Sequence, residues 1–390
     1  MIKLIKSTFY RERETKDKLT NFIGRTSQLS FGPECEKFEK NFAEYQGRKY
    51  CIFFNSGSSA NLALIQALLN SGQLKPGNEV GFSALTWATN VMPLIQLGLR
   101  PVPIDIELDT LNISSKKVTE SLKNKGLKAL FITNLLGFCH DIDQIKKICQ
   151  DQNMILIEDN CEALGTVYKG KKLGNFGLAS TFSFFVGHHM STIEGGAVCT
   201  DDKDLAKMLR IVRAHGWDRH LEEEEKEELR AKHRVKQFHA QYTFYDLGYN
   251  LRPTEINGFL GNEQLRHIDK IIQKRNQNFT QLAKTIYANR AFIPLRHSHI
   301  DMVSNFAFPV LCRSQGDHDR LVKKLKNKLE IRPIVGGSMI LQPFFKKHNR
   351  DQTETSSCPN AEFAHRNGFY FGNNPELTNS DLKIITALVR

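Results

Sequence analysis

Thr181-Phe-Ser-Phe-Phe-Val-Gly-His-His-Met-Ser-Thr-Ile-Glu-Gly-Gly196 is the stretch on which the reading of this chain turns. An apolar strand runs into a tight polar loop that closes on Gly195-Gly196, with His188 and His189 at its centre. Upstream, Met154-Ile-Leu-Ile-Glu-Asp-Asn160 is a second apolar run, and it ends in carboxylates. An acid at one strand end and a base at the next is how open α/β sheets assemble a site along their carboxyl edge.

Similar units lie on either side. Lys49-Tyr-Cys-Ile-Phe-Phe54 reads as a buried strand that breaks into Asn55-Ser-Gly-Ser-Ser59 and then a helix with Leu64, Ile65, Leu68 and Leu69 on one face. A Gly/Ser turn that opens a helix offers free N–H groups and the positive end of the helix dipole to a phosphate. Val80 to Trp87, Val102 to Asp105 and Leu127 to Asn134 are further strands with loops, and Ser114 or Ser115 caps the helix between the last two. Asp201-Asp-Lys-Asp204 caps a helix ending at Arg213-Ala-His-Gly216. Residues 219–237 are dense in charge and read as a solvated helix or mobile insertion. Pro253 suits the first turn of one long helix reaching past Arg275. In the Ile-Glu-Asp run, side-chain alternation sends Glu158 away from Asp159, and Glu158 reads as a solvated loop acid. From about residue 285 the pattern changes to short strands and helices, with Gly336-Gly337 as a flexible turn. The expected architecture is α/β: a large domain, residues 1–284, with a mixed, mostly parallel sheet and an N-terminal helical segment, and a small C-terminal α+β domain, residues 285–390.

Composition excludes several classes. The net charge of +12 (54 Lys and Arg against 42 Asp and Glu) would permit nucleic acid as a partner. The bases are scattered, however, with no aromatic-interleaved basic stripe, so nucleic acid is not expected. No run approaches a membrane span, and the first residues do not form a secretory leader. The eight cysteines (Cys35, Cys51, Cys139, Cys149, Cys161, Cys199, Cys312 and Cys358) form no CxxC or CxC cluster. They read as free thiols in a reducing cytoplasm, and neither a metal nor an iron–sulfur cluster is expected.

With these residues in view, the chain resembles the fold-type I, pyridoxal-phosphate-dependent sugar aminotransferases of the DegT/DnrJ/EryC1/StrS family. In that family the loop carries a Ser, then the lysine that tethers the cofactor, then Glu-Gly-Gly. Here Ser183 and Glu194-Gly195-Gly196 match, the lysine position holds His188, and no lysine lies between Lys172 and Lys203. That departure resembles the family's 3-dehydratases of 3,6-dideoxysugar synthesis, especially those of colitose and the O-antigen of lipopolysaccharide, which act on GDP-4-keto-6-deoxy-D-mannose. The resemblance implies pyridoxal 5′-phosphate or pyridoxamine 5′-phosphate bound without a covalent tether. It implies that Gly57 and Ser58 contact the cofactor phosphate, Ser183 is a further cofactor-binding residue, Trp87 stacks on the ring, and Asp159 faces the pyridine nitrogen. Glu162 joins this cofactor-binding group or lines the sugar pocket. Asp246-Leu-Gly-Tyr-Asn-Leu-Arg-Pro253 resembles the element that a second subunit donates, so Asn250 would reach the phosphate across a homodimer with shared active sites. His215 resembles a second histidine near the sugar, though a helix-end dipole partner is its bland alternative. Arg219, Arg252 and Arg332 complete the substrate residues.

Histidine cannot tether the cofactor, yet imidazole moves protons near neutral pH. The implied reaction uses L-glutamate as amino donor, with His188 as the catalytic base and acid, to expel the C3 hydroxyl of a nucleotide-linked 4-keto-6-deoxyhexose. A related CDP-sugar enzyme uses an iron–sulfur cluster, for which this chain lacks grouped cysteines. Two other readings remain: a nucleotide-sugar 4-aminotransferase that tolerates histidine, and a non-catalytic paralogue that binds a nucleotide sugar.

Overall fold

The apolar runs become strands whose carboxyl ends lie along one edge. The structure, a computed structural model, describes residues 1–123, 126–349 and 357–390. In chain order the strands are β1 (Tyr50–Phe54), β2 (Glu79–Ser83), β3 (Arg100–Ile104), β4 (Leu127–Thr133) and β5 (Ile155–Asp159). The small hairpin β6 (Val167–Tyr168) and β7 (Lys171–Lys172) follows, then β8 (Ala179–Ser183) and β9 (Gly196–Thr200). The main sheet has the order β1-β9-β8-β5-β4-β2-β3. β9 pairs antiparallel with both β1 and β8, and the other neighbours are parallel. Because β9 is flanked on both sides by strands of the opposite sense, β1 runs the same way as β8. Five site-bearing loops, after β1, β2, β4, β5 and β8, therefore leave the sheet at the same edge.

Helices cover both faces, as parallel strands buried on both sides require. Gly57–Asn70 and Lys203–Arg213 bury Leu64, Leu68, Leu205 and Leu209 against one face of the sheet. Near β1 and β8, Phe38 and Phe42 of helix Pro33–Gln46 meet Phe53, Phe182 and Phe184 edge-on or tilted. Alternation along β8 sends Phe182 into that aromatic cluster and Ser183 to the opposite face.

The second sheet has the order β10-β12-β11, from β10 (Ala307–Leu311), β11 (Ile331–Pro333) and β12 (Gly368–Gly372), all antiparallel. The N-terminal residues lie beside it: Ile2 bridges Leu329 and Leu4 N–H donates to Glu330. This backbone pairing spans more than three hundred residues of sequence. The expected single helix after Pro253 is two, Glu255–Leu265 and Ile268–Ile286, broken at Arg266-His267. Pro253 precedes the cap, which is Thr254, instead of entering the first turn. The charged segment contains the helix Glu223–Lys232, docked by Arg230 on the fully buried Asp218 at 2.7 Å. Gly337 adopts φ +71°, and Gly336 packs on the backbone of Thr86 and Trp87.

Candidate functional site

Asp159 is the centre of the cleft. It ends β5 opposite Thr133 and Thr181 and is 4% exposed. Its Oδ2 accepts from Asn61 Nδ2 at 3.0 Å and Asn90 Nδ2 at 2.7 Å, and its Oδ1 accepts from Cys161 N–H at 2.9 Å. Asn90 is itself fixed by Thr86, whose hydroxyl meets Thr133 at 2.6 Å. All three donors to the carboxylate are neutral, and no cation pairs with it among the described residues. A buried carboxylate held in this way wants a positive partner. A protonated heteroaromatic nitrogen supplies one, and Asn61 Oδ1 and Thr181 Oγ1, buried without partners among the described residues, leave hydrogen-bonding capacity at the same place.

The phosphate-type turn closes onto this centre. Helix Gly57–Asn70 is capped by Ser56, whose hydroxyl accepts from Ser59 N–H at 3.0 Å. The N–H groups of Gly57 and Ser58 belong to the free first turn. A Cβ on Gly57 would stand 2.7 Å from Ser183 Cβ, and one on Gly196 would stand 2.3 Å from the Ser56 carbonyl oxygen. Only glycine allows the two strand ends to approach so closely, and that approach puts the Ser183 hydroxyl beside the helix N-terminus. Trp87 leaves β2 with 53% of its surface exposed, an uncovered flat ring at the same edge.

His188 is bound into the same cluster. Its Nδ1 donates to the Cys161 carbonyl at 2.7 Å. A carbonyl only accepts, so Nδ1 carries the proton and Nε2 is left as the basic nitrogen. The ring stacks on Phe306 at 5.3 Å and 20°. Burial pushes the imidazole down to about 4, against the opposing pull of the Cys161 bond and Asp159. It is therefore neutral and able to accept a proton across the physiological range. His189 turns inward, is buried, and donates from Nε2 to the Ser304 carbonyl at 3.1 Å. Glu162 accepts from Leu136 N–H at 2.7 Å and is raised to about 8 by burial, so it holds its proton at neutral pH. Tyr370 lies within electrostatic reach of Glu162 and packs its ring against Phe306 at 5.5 Å.

Glu158 corrects the expectation of a solvated loop acid. It points away from Asp159 but is fully buried. It accepts from Phe176 N–H (2.6 Å), Gly177 N–H (2.7 Å), Gly174 N–H (2.7 Å) and Asn134 Nδ2 (3.3 Å). It anchors the loop between β7 and β8. Glu158→Gln puts an amide NH₂ among N–H donors and is expected to cost about 1.5–3 kcal/mol of stability. Urea denaturation checks this, and a midpoint equal to that of wild type would remove the assignment.

The remaining residues fall into two other places. His215, Arg219, Asn250 and Arg252 surround Trp217. Arg219 lies 3.8 Å and Arg252 5.5 Å from its ring, His215 meets it edge-on at 4.9 Å, and Arg252 Nε donates to Asn250 at 3.0 Å. None of their hydrogen bonds or ring contacts reaches Asp159, Ser183 or His188 among the described residues. Arg332 is exposed on β11, pairs with Glu330 at 2.7 Å, and lies opposite Tyr370 in register. Sequence reasoning missed Asn61, Asn90, Phe306 and Tyr370. A polar residue one turn into an otherwise apolar helix was the available signal for Asn61.

Comparison with known proteins agrees with this geometry. The sequence profile of the DegT/DnrJ/EryC1/StrS aminotransferase family matches residues 11–390. A GDP-4-keto-6-deoxy-D-mannose 3-dehydratase from Yersinia pseudotuberculosis is 36% identical over 92% of this chain and 91% of its own length. A crystal structure of GDP-4-keto-6-deoxymannose-3-dehydratase with a trapped PLP–glutamate geminal diamine superposes with a TM-score of 0.89 at 30% identity, covering all of both chains. A mutant of that enzyme with bound GDP-perosamine superposes equally well, with the same TM-score, identity and coverage. Among the described residues no helix is long and apolar enough to cross a membrane.

Proposed function

The chain belongs to the DegT/DnrJ/EryC1/StrS aminotransferase family, and from that premise we propose that it is a vitamin B6-dependent 3-dehydratase of a nucleotide-linked 4-keto-6-deoxyhexose. The substrate is GDP-4-keto-6-deoxy-D-mannose, as in the named relatives, and L-glutamate is the amino donor. The reaction belongs to 3,6-dideoxysugar synthesis for the O-antigen of lipopolysaccharide. The observation that carries the reading is His188: a neutral imidazole with a free Nε2 stands where a lysine would tether the cofactor.

The residues fit the cofactor. Pyridoxal 5′-phosphate, or its amine form, supplies an electron sink conjugated to the sugar carbon. Asp159 would hold the pyridine nitrogen in its protonated form. The Gly57 and Ser58 N–H groups and the Ser183 hydroxyl would take the phosphate. The exposed Trp87 ring would stack on the cofactor, doing part of what a covalent tether would do. His188 Nε2 accepts a proton and, once charged, donates to the departing C3 hydroxyl. Glu162, neutral at pH 7, donates a hydrogen bond toward the sugar.

His215, Arg219, Asn250 and Arg252 act in a homodimer, where they enter the cleft of a second copy. The exposure of Phe238, Tyr242, Phe244 and Leu247 around them supports this. Arg332 lies at the small-sheet edge of the cleft. A cytoplasmic location is supported by eight cysteines that are all free thiols.

The test is an assay of the purified chain with L-glutamate, pyridoxal phosphate and the GDP-, CDP-, dTDP- and UDP-4-keto-6-deoxyhexoses. The expected result is release of ammonia and 2-oxoglutarate with a GDP-linked product lighter by one oxygen. A 4-amino sugar as product would replace this reading with a transaminase. Absence of 2-oxoglutarate release would replace it with a binding protein.

A further inference from the structure

Arg275 is 4% exposed on helix Ile268–Ile286. Its guanidinium donates to three carbonyls from three separate segments. Nη1 reaches Phe306 O at 3.0 Å and Asn373 O at 2.5 Å, and Nη2 reaches His188 O at 3.1 Å. Asn373 returns a bond from Nδ2 to the Arg275 carbonyl at 2.9 Å and another to Asn305 Oδ1 at 2.7 Å. Phe306 immediately precedes β10 and Asn373 immediately follows β12, so one planar fork joins two corners of the small sheet to the loop after β8. Phe306 is also the residue whose ring stacks on His188.

We infer that Arg275 is the positioning residue that holds the His188 imidazole against Phe306 and couples it to the small sheet. The inference rests on His188 being the base of the reading above. A buried guanidinium with no acid to neutralise it is costly, and no carboxylate among the described residues offsets its burial. An apolar side chain would remove that cost but would leave the His188 and Asn373 carbonyls without their donor, while the Phe306 carbonyl would keep only the Asn373 N–H at 3.1 Å. Lysine would keep the charge, but its ammonium is a point and cannot match three acceptors fanned in a plane. The charge has a second consequence. The groups facing the imidazole are Asp159, which favours its protonation, Arg275, which opposes it, and His189, which burial keeps neutral. Arg275 therefore sets where the ring lies, and its charge adds to burial, the larger cause, in opposing protonation of the ring.

The test is an NMR titration of ¹⁵N-labelled histidines in the full chain without cofactor, with His188 assigned from His188→Asn, together with kcat and KM of the loaded enzyme. In Arg275→Met the His188 titration is expected to move up by about one pH unit, a tenfold gain in proton affinity. In Arg275→Lys the titration is expected to stay near wild type while kcat falls about 10²-fold, the scale of a misplaced reacting group. KM for the sugar is expected to change less than threefold. An unmoved titration in folded Arg275→Met, or wild-type kcat in Arg275→Lys, would overturn the inference. Should Arg275→Met not fold, Arg275→Lys and Phe306→Leu carry the test, and wild-type kcat in both would overturn it. The titration needs no turnover. A wild-type chain that fails to dehydrate the sugar, with the shift still present between it and Arg275→Met, separates loss of the proposed function from loss of this coupling.

Discussion

His188→Asn is expected to lower turnover by on the order of 10²–10⁴-fold, the range for a positioned acid–base group. Asparagine is smaller than histidine but keeps a side-chain N–H near the Nδ1 position for the Cys161 carbonyl, and the Arg275 bond goes to the backbone carbonyl, so the loop keeps its anchors at Cys161 and Arg275. It has no nitrogen that accepts a proton near neutral pH. Cofactor binding should survive, because the groups proposed to hold it belong to other strands: Asp159 on β5, Gly57 after β1, Trp87 after β2. The measurement is single-turnover formation of the 3-deoxy product at saturating sugar, with cofactor occupancy followed by absorbance. A variant retaining more than a tenth of wild-type turnover would move the proton chemistry to another group. His188→Lys probes the same position from the other side. It places an amine beside the cofactor, and a covalent adduct trapped by borohydride is expected in that variant and absent from wild type.

Asp159→Asn has the next largest expected effect, about 10²–10³-fold in turnover, the scale of removing one preorganised electrostatic partner. Among the described residues, the hydrogen bonds to this carboxylate come from donors: two asparagine amides and one backbone N–H. An amide in its place has one oxygen to satisfy all three, and its own NH₂ is turned toward another donor. That mismatch costs about 1–3 kcal/mol on the usual scale for an unsatisfied buried group. It is partly offset because a buried charge has gone. The expected outcome is a small change in melting temperature beside a large loss of kcat. A loss below tenfold would mean that the pyridine nitrogen does not depend on Asp159.

What was legible in the sequence was whatever depends on neighbours along the chain. The Ser183–His188–Gly196 loop, the Asp159 strand end and the Gly57 turn each carry a local signature, and each lies at the carboxyl edge of the sheet. What was not legible depends on strands brought together from elsewhere. Asn61 and Asn90 gain their purpose only when the helix after β1 and the turn after β2 are set over β5. Phe306 and Arg275 meet His188 from about a hundred residues away. Glu158 looked solvated because its partners, the N–H groups of Gly174, Phe176 and Gly177, come from the loop between β7 and β8, well over ten residues on. The helix break at Arg266-His267 has no glycine or proline to mark it, since packing on two different surfaces sets it.

The strand-like contact of Ile2 with Leu329 bears on how the chain is made. A ribosome releases residues 2–4 more than three hundred residues before the partner backbone. This segment therefore waits undocked through the synthesis of the main sheet. Its docking beside the small sheet is a late event that depends on sequence-distant pairing, the slow kind of contact in folding. Anything that occupies the backbone of Ile2 or Leu4 during that interval competes with native closure of the loop at Glu330.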